Sequence, residues 1–484
     1  MLWVALELPS LPLQIAERAG ASRDPLVVAE GPEQRPIVVC ANEAARAAGV
    51  REGQATAAAK ALANSLRILP RDSRSERQAL ERLAAWAGQF TPMSCVEGQG
   101  IALEVEATLK LFGGHARLSS AIRRGVHELG FQAALGIAPT PLAARLFARA
   151  EARGLQVRSC LDPAGLRERV ADLPLFLLDW PAETLAHLAD LGVLRLRDML
   201  ELPVEGVARR FGPAIAICLG RLMGTLADPR EPYSPPPRFR SRLELPAQAD
   251  GVEALLFPLR RMLAEMEGTL RGRGAGVQRL ALWLEHGRKL RTRVDLDFAS
   301  PEREVDFILA IAREELGRIT LPAATVALDL RADALLAYAP RESTWLPGAR
   351  EQALGRERLI ERLAARLGRD RVFGIAIGDD HRPDRNWKKV SDTISREAVS
   401  DTFFAARPTW LLNRPQRLVT QNDSPSYQGA LTFIAGPERI ESGWWDGAEV
   451  RRDYYMAGNA RGEAFWIFHE HRGEQGWYLH GVFA

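Results

Sequence analysis

Three consecutive prolines, Pro235 to Pro237 in the run Tyr233-Ser234-Pro235-Pro236-Pro237, cut this 484-residue chain where neither a helix nor a central strand can continue. Such a run is extended and acts as a linker. The two sides differ in kind. Residues 171–230 read as wholly helical, punctuated by Pro174, Pro181, Pro203 and Pro213. After the prolines comes Arg238-Phe239-Arg240-Ser241-Arg242, then a helix over 252–271, strands over 278–285 and 289–298, a helix over 301–319 and a strand over 324–332. The fold class expected is α+β and multidomain, because a chain this long exceeds one core.

Before the helical stretch, residues 1–170 alternate strand-like runs (36–40, 101–105, 131–136) with amphipathic helices. Ala79, Leu83 and Trp86 share one face of a helix over 75–87, a core-facing stripe. Residues 43–63 are rich in alanine and poor in bulky side chains. Residues 405–484 read as a small β-rich unit with alternating aromatics and turn glycines.

No run reaches the roughly 18 apolar residues of a membrane span, and Met1 leads directly into a strand, so no membrane partner and a cytoplasmic, nucleoid-associated location are expected. Cys40, Cys95, Cys160 and Cys218 lack metal-ligand or redox spacing and read as buried thiols. His469 and His471 share one strand face without a third ligand, so neither a metal nor a cofactor is expected. A net charge of +3 does not by itself imply nucleic-acid binding; the local arginine pattern matters more. Arg238, Arg240 and Arg242 alternate, and on a strand all three face one way, as a phosphate backbone would require.

The opening run Leu2-Trp3-Val4-Ala5-Leu6-Glu7-Leu8 resembles the first strand of the Y-family translesion DNA polymerases, where Asp-x-Asp precedes an aromatic steric gate. The same register here gives Ala5, Leu6, Glu7 and then Pro9-Ser10. Ala41 to Gly53 resembles the finger segment, with Arg46 at the basic position that meets a triphosphate and Glu43 where the family has tyrosine. Gly136 to Arg145 is similar to Gly-Ile-Ala-x-Asn-Lys-x-x-Ala-Lys, with Thr140 and Pro141 replacing Asn-Lys and Arg145 at the second triphosphate-type position. Read back from Leu103-Glu104-Val105, the paired carboxylates of Ser-x-Asp-Glu-Ala fall on Gln99 and Gly100.

Nucleotidyl transfer of the two-metal kind needs anionic oxygen ligands. Ala5 and Gly100 offer none, and Gln99 offers a neutral carbonyl. Glu7 and Glu97 remain nearby, read here as a strand-edge carboxylate and a turn residue. The resemblance therefore implies a right-hand framework of palm (1–170, with fingers at about 41–70), helix-hairpin-helix thumb (171–232) and little finger (238–338) that does not polymerise. The rival expectation is an active polymerase using Glu7, Glu97 and Glu104; a third is a DNA-binding repair factor unconnected to polymerase recruitment.

In the thumb, Leu191-Gly192-Val193 matches one DNA-gripping hairpin, whereas the other position reads Leu178-Asp179-Trp180-Pro181 instead of Gly-x-Gly-Pro. Within 339–404, Glu342-Ser343-Thr344-Trp345-Leu346 stands where relatives carry a sliding-clamp peptide, with Glu342 replacing Gln. The C-terminal segments, from His381-Arg382-Pro383-Asp384 through Gly443-Trp444-Trp445-Asp446 to Arg451-Arg452-Asp453-Tyr454, resemble the non-catalytic branch of the family found in a bacterial SOS mutagenesis cassette. That branch implies a scaffold for primer-template DNA, the sliding clamp, a RecA-like accessory protein and an error-prone replicative-type polymerase, with Trp444, Trp445, Arg451 and Arg452 as partner-binding residues.

Overall fold

The computed structural model describes the chain except residues 19, 21–23, 33, 158, 288–289, 340–348, 391–406, 422–423 and 484. The expected clamp segment 342–346 and the whole polar stretch 391–401 lie outside the described residues. Two compact units form, Met1–Gln352 and Ala353–Ala484.

In the first unit, β1 (Trp3–Glu7) and α1 (Leu11–Glu17) lead into a small lobe of β2 (Leu26–Glu30), β3 (Ile37–Ala41), α2 (Glu43–Ala47), α3 (Thr56–Leu62) and β4 (Arg67–Pro70). Its three strands run β3-β2-β4 around a core of Val27, Val38, Ala45, Val50 and Ala59. The lobe thus begins at Leu26 rather than near residue 41, because β2 is the central strand. Asn42 ties it together: its side-chain oxygen accepts from the amides of Ala45, capping α2, and of Leu26.

Next come α4 (Ser73–Ala87), β5 (Ser94–Glu97), β6 (Gly100–Glu104), α5 (His115–Glu128), β7 (Ala134–Ala138) and α6 (Pro141–Ala152). The sheet order is β5-β6-β1-β7. The period of two along β1 sends Leu2, Val4, Leu6 and Leu8 toward the core of α4 and α5, and Trp3 and Ala5 toward α6. Glu7 continues the second face. The strand expected over 131–136 starts later, since Phe131 is a buried residue ahead of it.

The helical stretch is α7 (Leu166–Ala171), α8 (Ala182–Asp190), α9 (Leu196–Leu200), α10 (Val204–Phe211) and α11 (Pro213–Met223). Pro181 and Pro203 cap α8 and α10, and Pro213 opens α11, positions where a missing amide costs nothing. Helix ends at Met223, short of residue 230.

Beyond the prolines, β8 (Phe239–Ala249), α12 (Val252–Gly272), β9 (Ala275–His286), β10 (Arg291–Glu302), α13 (Val305–Gly317), β11 (Thr325–Ala332) and β12 (Leu336–Ala337) build a third sheet of order β10-β9-β11-β8, with β12 on β9. One face buries Leu243, Leu282, Leu296 and Leu328 beneath α12 and α13, which contribute Leu259, Met266 and Ile311. Helix α13 begins later than residue 301 because the Glu302 carboxylate ends β10 and accepts the amides of Arg303 and Glu304.

Helix α14 (Ala349–Leu367) leads into the second unit: a hairpin of β13 (Gly374–Ile377) and β14 (Trp387–Val390), then β15 (Trp410–Arg417), β16 (Val419–Gln421), β17 (Ser424–Ser426), β18 (Thr432–Ser442), β19 (Val450–Gly458), β20 (Ala464–Glu470) and β21 (Gly476–Val482). Five of these form an antiparallel sheet, β15-β21-β20-β19-β18, and β16 pairs with β17. Among the described residues, no helix is long and apolar enough to cross a membrane.

Candidate functional site

A cleft of about 620 Å³ opens where the end of β1, the β5–β6 turn and α6 meet, lined by Glu7, Pro9, Ser10, Gln99, Arg145, Arg149 and Asp179 among others. Its geometry begins with two glycines. A Cβ on Gly136 of β7 would lie 2.0 Å from the carbonyl oxygen of Ala144, so α6 packs against the sheet at a distance only glycine permits. That approach brings Arg145 and Arg149, four residues apart on one helix face, over Glu7. Gly98, with φ +54°, makes the turn after β5; a Cβ there would sit 2.1 Å from Arg145 Nη2.

The result is an ion cluster where the resemblance places metal ligands. Glu7 Oε1 is 3.5 Å from Arg149 Nε, and Glu7 Oε2 is 3.9 Å from Arg145 Nε. Asp179, from the loop before α8, takes both arginines through Oδ2, at 2.7 Å from Arg149 Nη2 and 3.1 Å from Arg145 Nη2. Arg149 also donates to the Leu177 carbonyl at 3.0 Å. The arginines are 18% exposed and the Glu7 side chain 11%. Glu97 has a guanidinium of its own, Arg230 Nε at 3.1 Å, which Asp228 shares at 2.6 Å.

Burial pushes the Glu7 carboxyl upward against the charges of Arg149 and Arg145, and pushes Glu97 upward against Arg230 and Arg145. Burial of Asp179 also opposes ionisation, but the hydrogen bond from Arg149 and both arginine charges outweigh it and hold that carboxyl below its usual range. These residues do not fit a pair of divalent cations. Ala5 supplies no oxygen, and Glu7 and Glu97 already face guanidiniums. Gly100, opposite Glu7 in the sheet, has no room for a side chain: a Cβ would stand 1.9 Å from the Leu6 carbonyl oxygen. Gln99 is exposed at the turn. Among the described residues, no group of three or more His, Cys, Asp or Glu is placed to hold a metal.

The three-acid alternative fails on distance. Glu104 is opposite Trp3 and Gly100 opposite Glu7, so Glu104 lies at the far end of the strand, roughly 13 Å along it. Arg46 is exposed on α2 and is not among the residues lining the cleft, so it is not brought together with Arg145. Sequence reasoning missed Arg149 and Arg230. The Arg145-x-x-x-Arg149 spacing was the available signal for the first; nothing local announced the second.

The expected phosphate-gripping turn has its amides occupied. Gly192, at φ +76°, ends α8, and the amides of Leu191, Gly192 and Val193 donate to Leu188, Ala189 and Leu188. The next two, Leu194 and Arg195, donate to Asp198 Oδ2 at 3.3 and 3.0 Å. A phosphate at this turn would have to displace Asp198.

On β8, Arg240 and Arg242 point outward while Phe239, Ser241 and Leu243 are buried, as the alternation requires. The row is nonetheless not a bare cationic strip. Arg240 Nη2 pairs with Asp329 at 2.9 Å, and Arg331 pairs with the same carboxylate. Arg242 pairs with Glu285 at 2.9 Å and Glu244 at 2.7 Å; Arg291 also meets Glu285, and Arg293 meets Asp295. Trp283 lies at the centre, with Arg293 and Arg331 over its ring at 5.5 and 5.7 Å. Arg240 and Arg242 are 58% and 42% exposed, so these guanidiniums reach water while Asp329 and Glu285 lie largely buried behind them. Arg238 precedes the strand and is exposed.

In the second unit, the four tryptophans of 444–477 divide. Trp466 is core, stacked on Tyr454 at 4.2 Å, and Trp477 is half-buried. Trp444 and Trp445 are 76% and 54% exposed in the β18–β19 loop and meet edge to face. That loop is fixed from below by buried Arg382, which bridges Asp380 and Asp446 at 2.6 and 2.7 Å. Arg451 and Arg452 face carboxylates of neighbouring strands, Glu441 and Glu470, each at 2.7 Å. His469 packs beside His471, whose Nε2 meets Asp453 at 2.8 Å. His480 is buried against the Tyr454 hydroxyl, at 2.8 Å, and burial holds its imidazole down at about 4.

Residues 13–149 match the impB/mucB/samB family. DNA polymerase IV of Dehalococcoides mccartyi (strain CBDB1) is 30% identical over 196 residues, covering 39% of this chain and 48% of that protein. The chain thus carries an impB/mucB/samB-type region within an α+β fold that has extra β-rich sheets at its C-terminal end. Over a longer span it is similar to Protein ImuB of Caulobacter vibrioides (strain NA1000 / CB15N): 28% identical over 477 residues, 90% of this chain and all of that one. Among solved structures, DinB from Sulfolobus solfataricus is 17% identical, with a TM-score of 0.40 over 70% of this chain and all of the other.

Proposed function

We propose that this chain is a non-catalytic, ImuB-like scaffold for damage-induced translesion synthesis. It would hold primer-template DNA and recruit the sliding clamp, a RecA-like accessory protein and an error-prone replicative-type polymerase, as a cytoplasmic, nucleoid-associated protein. In this reading β1, β5–β7 and α6 are the palm, the lobe of β2–β4 the fingers, α7–α11 the thumb and the β8–β11 sheet the little finger.

One observation carries the loss of catalysis: Glu7, the carboxylate best placed to bind a cation, faces Arg145 and Arg149 of α6, a helix packed closely on the sheet at Gly136. Two guanidiniums occupy the neighbourhood in which two divalent ions would be needed. The exposed guanidiniums of Arg240 and Arg242 on the β8–β11 sheet support sequence-independent, salt-sensitive DNA contact, since each reaches water and can meet a phosphate while its carboxylate stays behind it. Exposed Trp444 and Trp445, on a loop made rigid by Arg382, support protein capture by the second unit. The clamp contact is carried by the Trp345-Leu346 pair alone. Several modest contacts on one chain combine through effective concentration.

Two measurements test this. Binding of a fluorescent nucleoside triphosphate to the purified chain should show no Mg²⁺ dependence. Co-purification should retain the clamp and the accessory protein, with clamp retention lost on Trp345→Ala/Leu346→Ala; a chain that binds DNA and retains neither protein is a plain DNA-binding factor. Restoring acids through Gln99→Asp and Gly100→Glu is no clean control, because the second change collides with the Leu6 carbonyl.

A further inference from the structure

We propose that Glu265 and Trp86 are positioning residues that lock the β8–β11 sheet onto the β5-β6-β1-β7 sheet, so that DNA meets a preset surface and not a swinging module. The consequence for DNA rests on the scaffold reading; the lock itself does not.

The proline run at 235–237 would suit a free tether, yet three sets of contacts oppose one. First, helices α4 and α12 touch through glycines. A Cβ on Gly272 of α12 would lie 2.6 Å from the carbonyl carbon of Gly88, and one on Gly268 would lie 2.2 Å from Trp86 Cδ1. On its other edge the Trp86 ring meets Gly125 of α5, where a Cβ would be 2.4 Å away. The indole is therefore wedged between a helix of each sheet, and neither helix can rotate without driving a side chain or backbone into it.

Second, Glu265 of α12 is buried between Arg18, at the end of α1, and Arg82 of α4. It pairs with Arg18 and stands 3.1 Å from Arg82 Nε; the Arg18 and Glu265 side chains are each 2% exposed. Arg18 also donates to the Leu129 carbonyl at 2.8 Å, stacks on Phe131, and accepts a bond at its own carbonyl from Arg261 of α12. Sliding α12 away would strand Glu265 and Arg18 in a dry interface, since water does not reach either. Third, the linker is itself anchored. The Tyr233 amide donates to the Ser94 carbonyl at 2.6 Å, and Arg273 donates to the Pro235 carbonyl.

Domains joined by small polar interfaces move relative to one another by default. A glycine-tight crossing with a buried ion pair removes that default.

The test uses the full chain in a Cys218→Ser background, labelled with a donor and acceptor at Arg124→Cys on α5 and Glu314→Cys on α13, both exposed positions. Single-molecule energy transfer should give one narrow population, unchanged by primer-template. Gly268→Leu should shift or broaden it, and Trp86→Ala added to Gly268→Leu should narrow it again by opening the space. Two populations in the otherwise unsubstituted chain, a shift on adding DNA, or a folded Gly268→Leu chain with an unchanged distribution would each overturn the lock. Should Gly268→Leu not fold, Glu265→Gln, read by the same distribution, takes its place. DNA anisotropy of the unlabelled chain is read separately, so failure to bind DNA would count against the scaffold and leave the transfer distribution to judge the lock.

Discussion

The cleft at the end of β1 and the outer face of the β8–β11 sheet are both built from arginines facing carboxylates, yet one has closed and the other remains open to exchange. In the cleft, Arg145 and Arg149 surround Glu7 with most of each side chain out of water. On the sheet, Arg240 and Arg242 lie on the surface, 58% and 42% exposed, although their partners Asp329 and Glu285 are largely buried. A buried pair cannot be traded for a phosphate or a cation without stranding a charge out of water, whereas a guanidinium that already reaches water can turn to a phosphate without being stripped of its solvent. Burial, more than the sign of the charge, decides which arginine cluster remains available to a ligand.

The largest effect that could break this contrast is expected in the cleft. Glu7→Ala removes the acid between two largely buried guanidiniums and should cost about 3–5 kcal/mol of stability by chemical denaturation. Asp329→Asn leaves arginines that reach water, so although Asp329 itself is buried the loss should be smaller, about 1–2 kcal/mol. Equal losses at the two sites would remove the distinction.

The same criterion extends to the second unit, where burial of His480 and the charge of Arg452 outweigh the charge of Asp384. The folded His480 value near 4 lies below the ordinary 6.5, so between those values the unfolded chain binds a proton that the folded chain refuses. Stability of this unit should therefore fall as pH drops from 6.5 to 4, by about 3 kcal/mol at most on 1.36 kcal/mol per pH unit. His480→Phe should flatten that slope in thermal melts followed by tryptophan fluorescence.

A smaller effect is expected on DNA. Asp329→Asn frees Arg240 and Arg331, so affinity for primer-template should rise at low salt, and the slope of log K against log salt should steepen by about one to two. Anisotropy titrations across salt concentrations measure both. Arg240→Glu/Arg242→Glu should lower affinity at low salt; unchanged binding would take DNA off this face. The smallest effect on stability belongs to Trp444→Ala with Trp445→Ala, within about 0.5 kcal/mol because neither ring is in the core, with loss of partner co-purification.

Much of the frame was legible beforehand. The helix expected over 252–271 runs Val252–Gly272, and Arg240 and Arg242 alternate outward on β8. Local periodicity determines such features. What decides function was not local. Asp329 reaches Arg240 across 89 residues, Glu265 reaches Arg18 across 247, and Asp179 read only as a departure from a glycine motif until its bond to Arg149 was seen. A row of arginines reads as cationic until its long-range partners are counted, and only the fold supplies those. Gly100 teaches the same: it read as a lost carboxylate, whereas the Leu6 carbonyl beside it leaves space for nothing larger.

Primer extension by the purified, unmodified chain, with Mg²⁺ and then with Mn²⁺, tests the central claim most directly. The guanidinium-filled cleft predicts measurable primer-template binding without nucleotide incorporation under either ion. Template-dependent incorporation by this chain would contradict it and make the protein a polymerase.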